Sequence, residues 1–213
     1  MKEKNMSRST NTIQNGSVEY PFAIGIGVYQ KNTEPTQEEI NYIENIDWKR
    51  NVGNDIGDDY QLFRNPIFSN LSKFCTEAVN EYYQGLLQYD TKLDIVLSWA
   101  NRTVPGEQHH LHRHPNSVIS GVYYYDSTDL CPIEFHSPWL PMNPYSDKPR
   151  EFTYLNSDVH QLAVEANTAI CFPSFLWHQV QKSRDTKARY SIAFNAFFAK
   201  GQTVGQFATA LST

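Results

Sequence analysis

Residues 109–125 read HHLHRHPNSVISGVYYY. Two strand-like runs flank a proline-asparagine turn, Gln108 to Arg113 before it and Val118 to Tyr125 after it. Aromatic and β-branched side chains suit a half-buried pleated surface, and Pro, Asn and Ser punctuate strands. On a strand, side chains alternate between faces, so His110, His112 and His114 should project together while His109 points the other way. Three imidazoles on one face make a chelating arrangement. The plain alternative is a solvated, flexible histidine-rich loop, and the tract alone does not decide between them.

The same texture continues in both directions. Leu93 to Ala100 precedes the tract, and Ile133 to His136, Val159 to Val164, Thr168 to Phe172, Trp177 to Gln181 and Arg189 to Phe198 follow it. Short strands at this density, broken by turn residues, predict a mainly β chain folded as a jelly roll or barrel rather than a parallel sheet with crossover helices. Pro138 to Arg150 carries four prolines, which predicts a surface loop or lid.

Upstream the pattern is different. Thr36 followed by Glu39 is a capping box, and Ile40, Ile43 and Ile46 recur at helical spacing. Phe68, Leu71, Phe74, Cys75, Val79, Tyr82, Tyr83 and Leu86 predict a second helix with Pro66 near its start. Asn51 to Asp59 reads as turn chemistry, and Phe22 to Tyr29 as a strand along a sheet edge. The expected organisation is a flexible tail over residues 1–19, a strand and helical support region over 20–92, a β core over 93–200 and a C-terminal extension over 201–213.

Composition bounds the function. The 213 residues are 40% hydrophobic and 19% charged, enough for one core of ordinary size. The polar start MKEKNMSRST lacks the form of a signal peptide, and no apolar run reaches the ~20 residues of a membrane span. A net charge of -5 gives the whole chain no reason to seek a polyphosphate backbone, so neither membrane nor nucleic acid is an expected partner. Cys75, Cys131 and Cys171 are too few and too widely spaced for a disulfide framework or a zinc motif. A reducing cytoplasm is the expected location.

Two further pieces give the histidines meaning. His178 follows the apolar run Phe172-Pro-Ser-Phe-Leu-Trp177, and on the last strand Arg189, Ser191 and Asn195 share one face while Tyr190, Ile192 and Phe194 share the other. An inward arginine must meet an anion, because a buried guanidinium cannot shed its proton. A structural ion pair with Glu134 or Glu165 is the plain reading. Taken with the histidines, the arrangement reads as a ferrous site for an organic dicarboxylate, since a facial ligand set leaves positions open for a 2-oxo acid and dioxygen.

Four stretches together, SWANRTVPG (98–106), HRHPNSVISGVYY (112–124), FPSFLWH (172–178) and RYSIAFN (189–195), resemble the Fe(II)/2-oxoglutarate-dependent oxygenases, in particular a group from phages and marine bacteria. Their order and spacing match over about half of the chain. The resemblance implies a double-stranded β-helix, a jelly-roll or cupin-like barrel, with N-terminal helices packed on one sheet. It implies His112, His114 and His178 as metal ligands, Arg189 with Ser191 gripping the far carboxylate of 2-oxoglutarate, and Asn101 as a weaker contact to the same molecule. Fe(II), 2-oxoglutarate and dioxygen are the implied cofactors and co-substrates, with ascorbate as accessory reductant. The implied reaction is C–H hydroxylation of a peptidyl or small-molecule substrate, in a cytoplasm that for a phage-encoded chain is the host's. A homodimer is a candidate assembly.

The chain departs from the wider superfamily at one place. Most relatives carry His-x-Asp or His-x-Glu where this sequence has His112-x-His114. His110, which has the same strand parity, or an acid such as Asp126 or Glu134 are alternative third ligands. His109 is expected outside the ligand set, and His136 and His160 on strand or surface positions. Of Tyr123, Tyr124 and Tyr125, one inward ring should hydrogen-bond near the co-substrate; Trp99 and Trp177 read first as packing residues. Competing functions are a three-histidine cupin enzyme that uses no 2-oxo acid, and a non-catalytic binding or structural module.

Overall fold

The computed structural model describes residue 17 and residues 21–139 and 148–201. The tail over 1–19, the extension over 201–213 and most of the proline-rich loop at 138–150 therefore lie outside the described residues, apart from their few described positions. In chain order the elements are β1 (Gly27–Gln30), α1 (Gln37–Asn45), β2 (Trp48–Arg50), β3 (Asp55–Gly57), α2 (Ser69–Asn80), β4 (Leu93–Thr103), β5 (His109–His112), β6 (Ile119–Tyr124), β7 (Ile133–His136), β8 (Val159–Leu162), β9 (Thr168–Pro173), β10 (His178–Val180) and β11 (Arg189–Phe198).

The strands form two antiparallel sheets. One has the order β1-β9-β6-β11-β4-β3-β2 and the other β5-β10-β7-β8. Their facing surfaces enclose an apolar layer in which Ile133 and Phe135 of β7 meet Tyr124, Ile170 and Phe172 of the larger sheet. This is the mainly β, jelly-roll architecture with helices on one sheet.

The larger sheet is covered on both sides, which explains why both parities of its strands are apolar. Tyr123, Ile192, Phe194 and Cys171 turn outward against Leu71, Cys75, Val79 and Tyr82 of the helical layer. Backbones pack closely there: a Cβ on Gly121 would run into the Phe194 ring and lie 2.6 Å from the Ile170 carbonyl oxygen. Such overlap leaves only glycine at this position.

The helix starts follow local chemistry. Thr36 Oγ1 accepts from the Glu39 amide at 3.1 Å while a Glu39 carboxylate oxygen accepts from the Thr36 amide at 2.7 Å, a complete capping box at α1. Pro66 lies in a 3-10 turn, Pro66–Phe68, whose Ile67 amide is capped by the Asn65 side chain. The second helical run is α-helical only to Asn80 and continues as a π-helical turn over Glu81–Leu86.

Two local expectations change. Asn51 to Asp59 is not turn throughout: β2 and β3 form a hairpin whose tip is residues 51–54, and β3 adds to the sheet beside β4. The Arg102 guanidinium grips Asp55 at 2.8 Å, so partners distant in sequence override local turn preference. Of Phe22 to Tyr29, only the residues from Gly27 on pair, within an edge strand Gly27–Gln30 on β9. Ile24 and Ile26 instead pack against the apolar layer between the sheets, while Phe22 is exposed.

Candidate metal centre and anion pocket

His112 ends β5 and His178 begins β10, and the two are direct cross-strand partners. Cross-strand neighbours on one face approach closely, and these ring centroids are 4.3 Å apart. His114 lies two residues past the end of β5, where its amide donates to the Ser174 carbonyl at 3.0 Å. Its ring stands 5.0 Å from that of His112 and 5.2 Å from that of His178. One ring nitrogen from each of the three lies within 4.8 Å of the others.

Hydrogen bonds decide which nitrogens are free. His112 Nδ1 lies 2.7 Å from the His110 carbonyl oxygen and His178 Nδ1 lies 3.0 Å from that of Leu176. A carbonyl only accepts, so in both rings Nδ1 carries the proton and Nε2 presents its lone pair. Behind His114, Asn195 Nδ2 sits at 3.5 Å, and its Oδ1 accepts from Ser120, whose hydroxyl also meets Ser174. Burial is the main cause that pushes all three imidazoles down, His178 well below its ordinary value and His114 to about 4. All three are therefore neutral near pH 7, the form that binds metal.

Arg189 opens β11 and is 4% exposed. Its Nη1 donates to the Cys131 carbonyl at 2.5 Å, and the guanidinium lies over the Tyr124 ring at 5.1 Å. Among the described residues no carboxylate pairs with it. Glu134 stands on the outer face of the smaller sheet, and Glu165 is exposed. Among the described residues the Arg189 Nε and the Tyr124 hydroxyl are both buried without a partner, and both residues line the same cavity as the three histidines. Burial pushes the Tyr124 phenol up to about 12, against the opposing pull of Arg189, so it stays an O–H donor. Ser191 faces Asn101 of β4 on one side and Tyr124 of β6 on the other, a row of polar groups across three strands. Buried donors with no acceptor call for a ligand to supply one.

The sequence-predicted residues His112, His114, His178, Arg189, Ser191 and Asn101 thus all line one cavity. Other positions differ from expectation. His109 also lines it, because the β5–β10 register shifts between the His112–His178 and His109–Val180 pairs. That bulge reverses the simple alternation and turns the His109 ring onto His112, at 4.5 Å. Glu134 is directed away, held by the side-chain amides of Gln161, Gln179 and Gln181 and lying 3.1 Å from His136. Asp126 is exposed, and neither acid belongs to a histidine cluster. His160 packs its ring against Tyr154.

Tyr124 is the inward tyrosine of the three, and Trp99, 5.7 Å from His114, borders the cavity as well as packing. Trp177 is exposed, beneath the Arg113 guanidinium. Asn54, wholly buried at the cavity wall, lies in the stretch read as a turn and carries no local signal of this role.

The donor set fits a divalent transition metal, for which neutral imidazoles are good ligands, and the pocket around Arg189 fits a carboxylate. A family model described as "Putative 2OG-Fe(II) oxygenase" matches residues 97–195. No curated protein matches the sequence. Among solved structures, a 2OG-Fe(II) oxygenase family oxidoreductase from Burkholderia pseudomallei is 13% identical, with 80% of this chain and 84% of that chain covered and a TM-score of 0.54. HygX from Streptomyces hygroscopicus, with nickel, 2-oxoglutarate and hygromycin B bound, is 11% identical over 81% of this chain and 82% of its own, at a TM-score of 0.58. The carbocyclase SnoK from nogalamycin biosynthesis is 10% identical over 81% and 79%, at 0.56. At such identities these structures share the fold. The family-model match over residues 97–195 spans His112, His114, His178 and Arg189, the residues that the cavity brings together.

Proposed function

We propose that the protein is an Fe(II)- and 2-oxoglutarate-dependent oxygenase that hydroxylates a C–H bond of a peptidyl or small-molecule substrate. His112, His114 and His178 would hold the metal, and Arg189, Ser191, Asn101 and Tyr124 the far carboxylate of 2-oxoglutarate. The observation that carries this reading is Arg189, a buried cation with an unpartnered Nε beside the unpartnered Tyr124 hydroxyl, on the wall of the histidine cavity. A three-histidine cupin enzyme without a 2-oxo acid gives that cation nothing to bind.

When bound, Fe(II) with 2-oxoglutarate supplies oxidative decarboxylation to succinate and carbon dioxide and an oxidant for the substrate C–H bond. The chain's own residues set the stage for it. Arg189 offers charge-assisted hydrogen bonds through Nε and the remaining guanidinium N–H groups, and Tyr124 adds an O–H donor. Their fixed place on adjacent strands orients the dicarboxylate before chemistry begins, so little ordering is left to be done on binding. The neutral histidines contribute no negative charge, which leaves the anion as the metal's main charge partner. Val122, Ile133, Ala193 and Trp99 form apolar walls that limit water.

Incubation with Fe(II), 2-oxoglutarate, ascorbate and air, followed by mass spectrometry, tests the reading. Succinate formed in the intact protein and lost in His178→Ala supports it. No succinate from metal-loaded protein, or equal succinate from the variant, contradicts it.

A further inference from the structure

The histidine tract contains more imidazoles than one metal position uses. His109, His110 and His112 form a second cluster in which a ring nitrogen from each lies within 4.8 Å of the others. Their ring centroids are 5.2, 4.5 and 5.0 Å apart, and all three are only partly buried, whereas His178 of the inner cluster is 3% exposed. The same register shift that turns His109 onto His112 creates this cluster, because a regular strand would put His109 on the opposite face from His110 and His112.

The two clusters share His112, and its Nδ1 is held by the His110 carbonyl, so a single nitrogen of that ring is free. A lone pair serves one metal ion at a time. The hairpin tip supports the outer cluster at His110, whose Nδ1 lies 3.3 Å from the Val52 carbonyl oxygen, which leaves the other His110 nitrogen to ligate; Asn51 Nδ2, 3.4 Å from His109 Nε2, is a donor that a metal on that nitrogen would displace.

We propose that His109, His110 and His112 form an outer binding position for a borderline divalent cation such as Zn(II), Ni(II) or Co(II), mutually exclusive with the inner position because both need His112. Imidazole-only sites favour these ions over Mg(II) and Ca(II), and first-row affinities place Fe(II) below them. An excess of such an ion then opposes loading of the inner site by withdrawing His112 from it. The inference rests on the inner-site reading only in its use of His112.

Co(II) titration followed by its ligand-field absorption and by calorimetry tests the proposal without turnover. The intact protein should take up one Co(II) per chain. His178→Ala and His114→Ala each dismantle the inner set, and both should keep one Co(II) site. Adding His110→Ala to either should weaken that remaining site by about tenfold or more, with the far-ultraviolet circular dichroism unchanged to show that the fold persists. Two Co(II) per chain in the intact protein, no Co(II) in both inner-site variants, or undiminished binding after His110→Ala would each overturn it. Succinate release by the intact enzyme separately reports the oxygenase reading, so the two failures are distinguishable.

Discussion

Replacing Arg189 by Met separates a ligand-binding arginine from a structural one. Met reproduces the arginine stem as far as Nε, and the exchange removes a charge that is 4% exposed and, among the described residues, has no carboxylate partner. Loss of the hydrogen bond to the Cys131 carbonyl opposes the relief of burying a guanidinium. The two effects are of similar size, so the ligand-free variant should keep its stability to within about 1–2 kcal/mol. Binding should behave differently. Truncating one partner of a buried, hydrogen-bonded charge pair costs about 2–5 kcal/mol; a middle value of ~3 kcal/mol weakens 2-oxoglutarate binding roughly 150-fold.

Thermal unfolding of protein loaded with Fe(II) under anaerobic conditions, where it does not turn over, reads both effects. At a 2-oxoglutarate concentration about 100 times its dissociation constant, the intact protein gains about 2.7 kcal/mol, and the variant at the same concentration about 0.3 kcal/mol. For a chain of this size that is a rise in Tm of roughly 5–10 °C against about 1 °C. An equal rise in both proteins, or a variant that loses more than about 3 kcal/mol before ligand is added, would refute the reasoning and make Arg189 a structural residue.

Tyr124→Phe should weaken 2-oxoglutarate roughly 10- to 100-fold, the worth of one hydrogen bond to a carboxylate, while Ni(II) affinity measured by calorimetry stays unchanged. Gly121→Ala should cost about 2–3 kcal/mol in urea unfolding, because neither the Phe194 ring nor the Ile170 carbonyl can make room within the packed sheet. The metal-free protein should lose stability as pH falls below about 6.5. Its unfolded histidines take up protons there, while burial keeps His114 neutral down to about 4 and His109 to about 3 in the folded state. Above pH 7 both states are neutral and these groups give no slope. Melting curves from pH 4 to 8, with and without Ni(II), check this, and a flat apoprotein profile contradicts it.

The parts of this architecture that depend on local pattern were legible in the sequence. Thr36 and Glu39 announce α1 because capping is decided within four residues. The alternation of Arg189, Ser191 and Asn195 against Tyr190, Ile192 and Phe194 gives both faces of β11. Strand pairing hides the rest. The bulge that brings His109 beside His112 exists only in the register of β5 against β10, and β3 is a strand only because β4 lies next to it. His114 reached the cavity past the end of β5, through an amide bond to Ser174, rather than by strand parity. Glu134 and Phe135 differ by one residue along β7, yet one faces solvent-side glutamines and the other the inter-sheet core. Only the sheet's orientation assigns those faces.

The central claim is that His112 of β5, His114 just beyond it, His178 of β10 and Arg189 of β11 form a single metal and dicarboxylate site. Anaerobic addition of 2-oxoglutarate to the Fe(II)-loaded protein tests it most directly. The account predicts a visible charge-transfer band that saturates at one 2-oxoglutarate per chain and is absent from His178→Ala and displaced to much higher concentration in Arg189→Met. Iron uptake without any such band, or a band of full strength and affinity in both variants, would contradict it.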